Sequence, residues 1–254
     1  MKIQFIGTGS AFCLKNYHAN AIISEQGKNM LMDAGSDVRF SLSENGLTYK
    51  DIDAVYITHF HTDHIGGLEY LAFNSYFDKV KSKIKLFIHE SFIDTLWNNS
   101  LKAGLGMIFN GTLTLDDFFE VIPLKDTFIW ESLSFKLIPT FHVSGIRDVL
   151  PVYGLFIDGH QSIYFTGDTR YVPQHLESVY QKAQVIIHDA ETSSEKSVIH
   201  AHYEDITHLK PEIKCKTYLW HYHDNVSDNF EFWQKKATDN GFRGFLRKGD
   251  VLHF

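Results

Sequence analysis

Thr58-His59-Phe60-His61-Thr62-Asp63-His64-Ile65-Gly66-Gly67 is the stretch on which the reading of this chain turns. It places three histidines and an aspartate within six residues, directly after the apolar run Ala54-Val55-Tyr56-Ile57. That run has the composition of a buried strand, and a strand fixes the residues at its end. His59 and His61, two positions apart, can then point the same way. Asp63 and His64 follow on the turn beyond and can face a second point close by. Imidazole and carboxylate together suit a borderline divalent ion, zinc first, with manganese and iron also compatible.

The chain has 254 residues, a length that suits one large domain, so residues 1–254 are expected to form a single unit. Apolar residues make up 44 %, enough for a sizeable core, and the 21 Phe and 12 Tyr point to a bulky, β-rich interior. The formal net charge of −7 argues against a protein that grips extended nucleic acid through many phosphates. The nearest basic feature is the alternating run Lys79, Lys81, Lys83 and Lys85. It reads as the solvated face of an edge strand guarded by lysines, with a nucleic-acid patch as the second reading. Cys13 and Cys215 are the only cysteines, too few for a disulfide framework, so a reducing compartment is expected. The opening MKIQFIGTGSAF has one lysine and no long apolar core. No stretch approaches the roughly 18 apolar residues of a membrane span. A soluble, cytoplasmic protein with no membrane partner is the expectation.

Working outward from the stretch, Met1 to Phe5 alternates as a strand and meets the tight turn Gly7-Thr8-Gly9-Ser10-Ala11. With no third glycine opening a helix, that turn is weak evidence for a dinucleotide site. Ala21-Ile22-Ile23 and Met30-Leu31-Met32 read as strands joined at Gln26-Gly27-Lys28, the second ending at Asp33-Ala34-Gly35. Ser36 is a candidate cap for a helix over 37–45, stopped by Gly46. Beyond Gly67, helices are predicted from Leu68 to Phe77 and around Phe92 to Trp97, with a strand at 84–88 between them. Residues 101–120 read equally as a loop flanking a cleft or as a plain connection. Later strands are predicted over 119–123, 127–131, 133–138, 152–157, 162–165, 185–187, 218–220 and 251–254, and helices over 173–182 and 230–237. Polar segments leave several of these elements: Thr140-Phe141-His142, Gly167-Asp168-Thr169-Arg170, His188-Asp189-Ala190-Glu191-Thr192, His200-Ala201-His202-Tyr203-Glu204-Asp205 and His221-Tyr222-His223. Arg170 can steer an anionic substrate or pair with a local acid.

A His-x-His-x-Asp-His run after a strand, with Gly-Gly behind it, resembles the metallo-β-lactamase superfamily, and the resemblance runs over nearly the whole chain. GTGSA, GDTR, HDAET and HAHYED are further similar to the RNase Z-like branch, which holds tRNA 3′-end endonucleases and related phosphodiesterases. The resemblance implies an α/β fold, a four-layer αββα sandwich of two mixed β-sheets with helices on both outer faces. It implies two divalent metal ions, most simply zinc. His59, His61 and His142 would hold one, and Asp63, His64 and His221 the other, with Asp168 bridging them. His221 fits the last position better than His223, and His89 has no metal role. Asp33 would lie under the metal loop and orient it. Asp63 would also receive a proton from the attacking water. Asp189 stands where the branch carries glutamate, and would orient His200, which would stabilise or protonate the leaving oxygen. His202 is the second candidate for that task.

The reaction implied is hydrolysis by a metal-bridging hydroxide, with a phosphodiester as the first substrate class. The alternatives are a tRNA 3′-end endoribonuclease and an acyl hydrolase of a thioester, lactone or β-lactam. The common β-lactamase pattern has cysteine where this chain has Asp168, and the flavodiiron pattern has glutamate where it has His61. Both differences count against those chemistries. Only the 25 residues 143–167 separate His142 from Asp168, which leaves no room for the long arm of the bacterial tRNA enzymes. With the acidic charge, this favours a small anionic substrate such as a cyclic nucleotide or a short oligonucleotide. Relatives of the branch often form homodimers, and a homodimer stays open here.

Overall fold

Strands with a period of two bury alternate residues on one face, and here both faces are apolar. Ile3, Phe5, Ala21, Ile23, Met30, Met32 and Tyr56 face Phe135, Leu155, Phe165, Ile187 and Trp220 across a shared interior. The intervening residues Ile22, Leu31, Val55 and Leu86 turn the other way, against helices. The computed structural model describes residues 1–108, 111–144 and 149–254. Two seven-stranded sheets lie back to back. The first runs, in spatial order, Val251–His253, Lys2–Gly7, Asn20–Glu25, Lys28–Met32, Ala54–Tyr56, Ile84–His89 and Phe119–Leu124. The second runs Gly244–Phe245, Thr217–Trp220, Val185–Asp189, Ile163–Phe165, Val149–Asp158, Leu133–Ser144 and Thr127–Trp130. Each sheet is mixed: an antiparallel half meets a parallel half.

Helices Val38–Glu44 and Leu68–Phe77 cover the outside of the first sheet. Helices Pro173–Lys182, Tyr203–Ile206 and Phe230–Asp239 lie on the second sheet's outer side, packed on Tyr164, Ile186 and Leu219. The result is the expected αββα sandwich. The parallel strands of both sheets end at one rim, and the polar segments singled out above leave from there. Open α/β sheets generally place their sites at such carboxyl ends.

Several local expectations need correction. Ile84–His89 is not an edge strand, because it pairs with Ala54–Tyr56 on one side and Phe119–Leu124 on the other. Lys79, Lys81 and Lys83 sit in the preceding connection, where Lys81 Nζ donates to Lys50 O and Lys83 Nζ to Asp116 O. The first long helix starts at Val38 with Asp37, not Ser36, in the cap position, and the Asp37 carboxylate accepts from His18 N instead of capping. The 133–138 strand continues through His142 to Ser144, with an irregularity after Phe141. Residues 101–120 form the short helices Lys102–Leu105 and Leu115–Phe118 around a small hairpin, Met107–Ile108 with Gly111–Thr112. Part of that segment, 109–110, and residues 145–148 of the connection after His142 lie outside the described residues.

Candidate metal centre

The metal loop is held from beneath. The 54–56 strand runs parallel to Lys28–Met32, so Thr58 arrives beside Asp33. The buried Asp33 carboxylate accepts Thr58 N–H and Thr58 Oγ–H, each at 2.8 Å, and His64 Nδ1–H at 2.8 Å. Asp33 itself adopts φ 59°, a left-handed conformation tolerated by few residues other than glycine. The loop closes on the same segment, as Ala34 N–H donates to His64 O and Gly67 N–H to Ala34 O. Gly67 has no room for a side chain, since a Cβ there would stand 2.5 Å from Gly35 O. The Gly-Gly end of the motif therefore answers to a close backbone approach.

Side chains from both sheets converge above this base. His59 Nε2 lies 3.0 Å from His61 Nδ1, and His142 Nε2 lies 3.2 Å from the same atom. Asp168 Oδ2 stands 3.7 Å from both His59 Nε2 and His142 Nε2. Beside them, His64 Nε2 is 3.2 Å from Asp63 Oδ2 and 3.3 Å from Asp168 Oδ2. His221 Nε2 is 3.4 Å from Asp63 Oδ2 and 3.5 Å from Asp168 Oδ1. Four donors about 2.0–2.1 Å from a tetrahedral zinc stand about 3.3 Å from one another. Both groups match that spacing, and His64 Nε2, buried and with no hydrogen-bond partner, is a lone donor aimed into the second. The residues fit two divalent ions that share Asp168.

The outward-facing nitrogens of His64, His142 and His59 have hydrogen-bond partners. His64 Nδ1 donates to Asp33, His142 Nδ1 to Ile199 O at 2.7 Å, and His59 Nδ1 lies 3.1 Å from Thr58 Oγ. His221 Nδ1 stands 3.3 Å from Asp189 Oδ1. Such partners fix the tautomer and leave the inward nitrogen free to bind. Backbone geometry is unusual at the same places, with His221 at φ 59° and Gly167 at φ 60°. Functional sites are where such conformations collect.

Electrostatics split the two donor groups. Burial keeps His59, His61 and His142 below the ordinary imidazole value, His142 down to about 4. Burial also opposes charge on His64, but Asp168, Asp63 and Asp33 outweigh it and hold that imidazole well above its usual value. His221 is raised in the same way by Asp168, Asp189 and Asp63. Against the cost of burial, His64 and His221 keep Asp63 ionised, and the same two residues do so for Asp168.

Asp189 and His200 meet despite the shorter acid, with His200 Nδ1 at 2.8 Å from Asp189 Oδ2. Asp189 also accepts Thr169 N–H at 3.0 Å. His200 stacks 4.9 Å from His221 and stands 3.9 Å from Asp168 Oδ2, beside the centre. Burial disfavours its charged form, and Asp189 outweighs that, so its value is raised. His202 is engaged elsewhere. Its Nδ1 accepts Glu204 N–H at the start of a helix, and its Nε2 faces Ser193 O. Arg170 Nε donates to His142 O, tying down the end of that strand. The contributions of Thr58 and of the Ile199 carbonyl were not foreseen. Thr58 stood in the quoted stretch and could have been paired with Asp33, but a backbone carbonyl leaves no mark in a sequence.

The chain was compared with known proteins. The family model described as "Anti-Pycsar protein Apyc1" matches residues 1–252. A protein of that name from Paenibacillus harenae is 34 % identical over 230 residues, covering 89 % of this chain and 91 % of the relative. Another, from Bacillus phage vB_BsuM-Goe3, is 34 % identical over 239 residues with the same coverage. Among solved structures, the metallo-β-lactamase fold protein YhfI from Bacillus subtilis superposes with a TM-score of 0.77, at 18 % identity and 99 % coverage of each chain. At that identity the likeness concerns the fold alone.

Proposed function

The chain belongs to the anti-Pycsar protein Apyc1 family, and from that premise we propose that it is a metal-dependent phosphodiesterase that opens the ring of a cyclic nucleotide. One observation carries the reading: two buried donor groups share Asp168, and the Asp189–His200 pair stands against them, with His200 Nδ1 3.9 Å from Asp168 Oδ2. Two divalent ions held there, most simply zinc, would acidify bound water and draw charge from the phosphoryl oxygens. His59, His61 and His142 would hold one, Asp63, His64 and His221 the other, and Asp168 both. Asp33, through Thr58 and His64, keeps the loop in place for this.

The side chains have distinct tasks. The Asp63 carboxylate takes the proton of the attacking water. As the oxygen of that water bonds to phosphorus, one ring P–O bond breaks and its electron pair goes to the ribose oxygen. His200 supplies the proton that this oxygen needs, because an alkoxide is a poor leaving group at neutral pH. Asp189 stabilises the charged imidazole and aims it. The product is a linear nucleoside monophosphate.

A small substrate agrees with the acidic charge and with the hairpin of Leu133–Ser144 and Val149–Asp158, whose connection is only 145–148. On this reading the protein is an armless, single-domain member of the RNase Z-like branch. No helix among the described residues is long and apolar enough to cross a membrane, and we place the enzyme in the cytoplasm with its soluble substrate.

The test is a substrate panel on zinc- or manganese-loaded protein: 3′,5′-cyclic nucleotides, bis(p-nitrophenyl) phosphate, a thioester and a lactone. Turnover of the cyclic nucleotides is expected. Turnover of the acyl compounds alone would overturn the assignment of the bond.

A further inference from the structure

We infer that Glu191 is a positioning residue of this centre, whose carboxylate clamps the 197–200 turn and so places His200 and the Ile199 carbonyl together. The inference rests on the reading of His200 as the proton donor. Glu191 follows Asp189 by two residues and is only 3 % exposed. Its backbone is tied to the histidine segment, with Glu191 N–H donating to Ala201 O at 3.0 Å and Tyr203 N–H to Glu191 O at 2.8 Å. Both carboxylate oxygens face Ser197 N–H, at 3.0 and 3.2 Å. A hydrogen bond to a carboxylate is roughly twice as strong as one to a neutral acceptor.

The turn that this bond holds is poorly secured by its own internal bonds. Val198 adopts φ 61°, a left-handed conformation that a β-branched residue avoids, and its side chain is 75 % exposed. Its own packing therefore returns little for the strain. Inside the turn, Ile199 N–H and His200 N–H reach Ser197 Oγ only at 3.4 Å. The strained conformation is instead anchored at Ser197, through a buried acid that makes no direct contact with the metal-facing atoms.

Two outputs leave the same turn. Ile199 O accepts His142 Nδ1–H at 2.7 Å, which keeps the His142 Nε2 lone pair facing the centre. The next residue, His200, sends Nδ1 to Asp189 Oδ2 at 2.8 Å. If the clamp opens, Val198 can relax, and both the ligand partner and the proton donor shift. A donor displaced by about 1 Å is enough to cost most of its contribution.

The experiment compares wild type, Glu191→Ala, Glu191→Asp and Glu191→Gln on a 3′,5′-cyclic nucleotide and on bis(p-nitrophenyl) phosphate. Nitrophenolate leaves without a proton, whereas the ribose oxygen does not, so the two substrates separate a misplaced donor from general damage. For Glu191→Ala, kcat on the cyclic nucleotide should fall about 10- to 100-fold, the usual range for partners of a catalytic centre, with KM nearly unchanged. The loss on the nitrophenyl ester should be several times smaller. Glu191→Asp keeps the charge but withdraws the oxygens from Ser197 N–H, and should behave like Glu191→Ala. Glu191→Gln keeps an acceptor in place and should recover most of the activity. Equal losses on both substrates, or an unchanged kcat in Glu191→Ala and Glu191→Asp, would overturn the clamp. A wild-type protein inert toward cyclic nucleotides would instead overturn the functional reading beneath it.

Discussion

The two donor groups differ in protonation, which makes metal binding itself a test. The perturbation is pH during titration of metal-free protein with zinc. Imidazole binds metal only when neutral. His59, His61 and His142 sit below the ordinary value of 6.5 through burial, so above that pH they have no proton to expel. His64 and His221 are held well above it by the surrounding carboxylates, so each keeps its proton to a higher pH than those three. An ion entering between Asp63, His64 and His221 must therefore displace imidazole protons, up to two. Its association constant should rise by up to a hundredfold per pH unit, about 2.7 kcal/mol, until the raised values are passed. The ion held by His59, His61 and His142 should depend less on pH above 6.5, because its imidazoles add no protons to those given up by bound water. Titration calorimetry in buffers of different ionisation enthalpy counts the protons released in each event. One event releasing more protons than the other, by up to two, is the expected result. Equal release in both events would refute the electrostatic assignment.

Three substitutions test the remaining roles. His200→Ala should lower kcat on a cyclic nucleotide by about 100- to 10,000-fold with KM little changed. His202→Ala should cost about 1 kcal/mol of stability, as a lost helix cap, and leave kcat within a few-fold; the reverse pattern in steady-state kinetics would mean the wrong histidine faces the substrate. Asp33→Ala leaves two loop donors and the His64 ring without their buried acceptor, so unfolding free energy from urea titration should drop by about 3–5 kcal/mol. Retention of wild-type stability and of both zinc ions would show that Asp33 does not support the loop.

The site was legible where side-chain chemistry and strand ends coincide. His59, His61, Asp63 and His64 announce themselves by spacing after an apolar strand, and the family pattern extends that to His142, Asp168 and His221. The sandwich was legible only through the resemblance of these motifs to the metallo-β-lactamase superfamily, while apolar runs such as Ile84–His89 marked single strands. Pairing was not legible. Lys85 reads as an edge guard until Phe119–Leu124 is seen to add beyond it, and that neighbour is fixed by the global topology. Nor could the sequence choose between Ser36 and Asp37 as the cap, because the backbone at the helix start decides it. Val198 is the extreme case. A valine predicts an extended conformation, and only the fastening of Ser197 by Glu191 makes its left-handed turn intelligible.

The most direct measurement follows a 3′,5′-cyclic nucleotide by phosphorus NMR with chelator-treated protein and with the same protein reloaded with zinc. The account predicts that about two zinc ions bind per chain, that the cyclic signal then gives way to a single monoester signal, and that the chelated protein is inert. Conversion by the chelated protein, or none with two zinc ions bound, would contradict it.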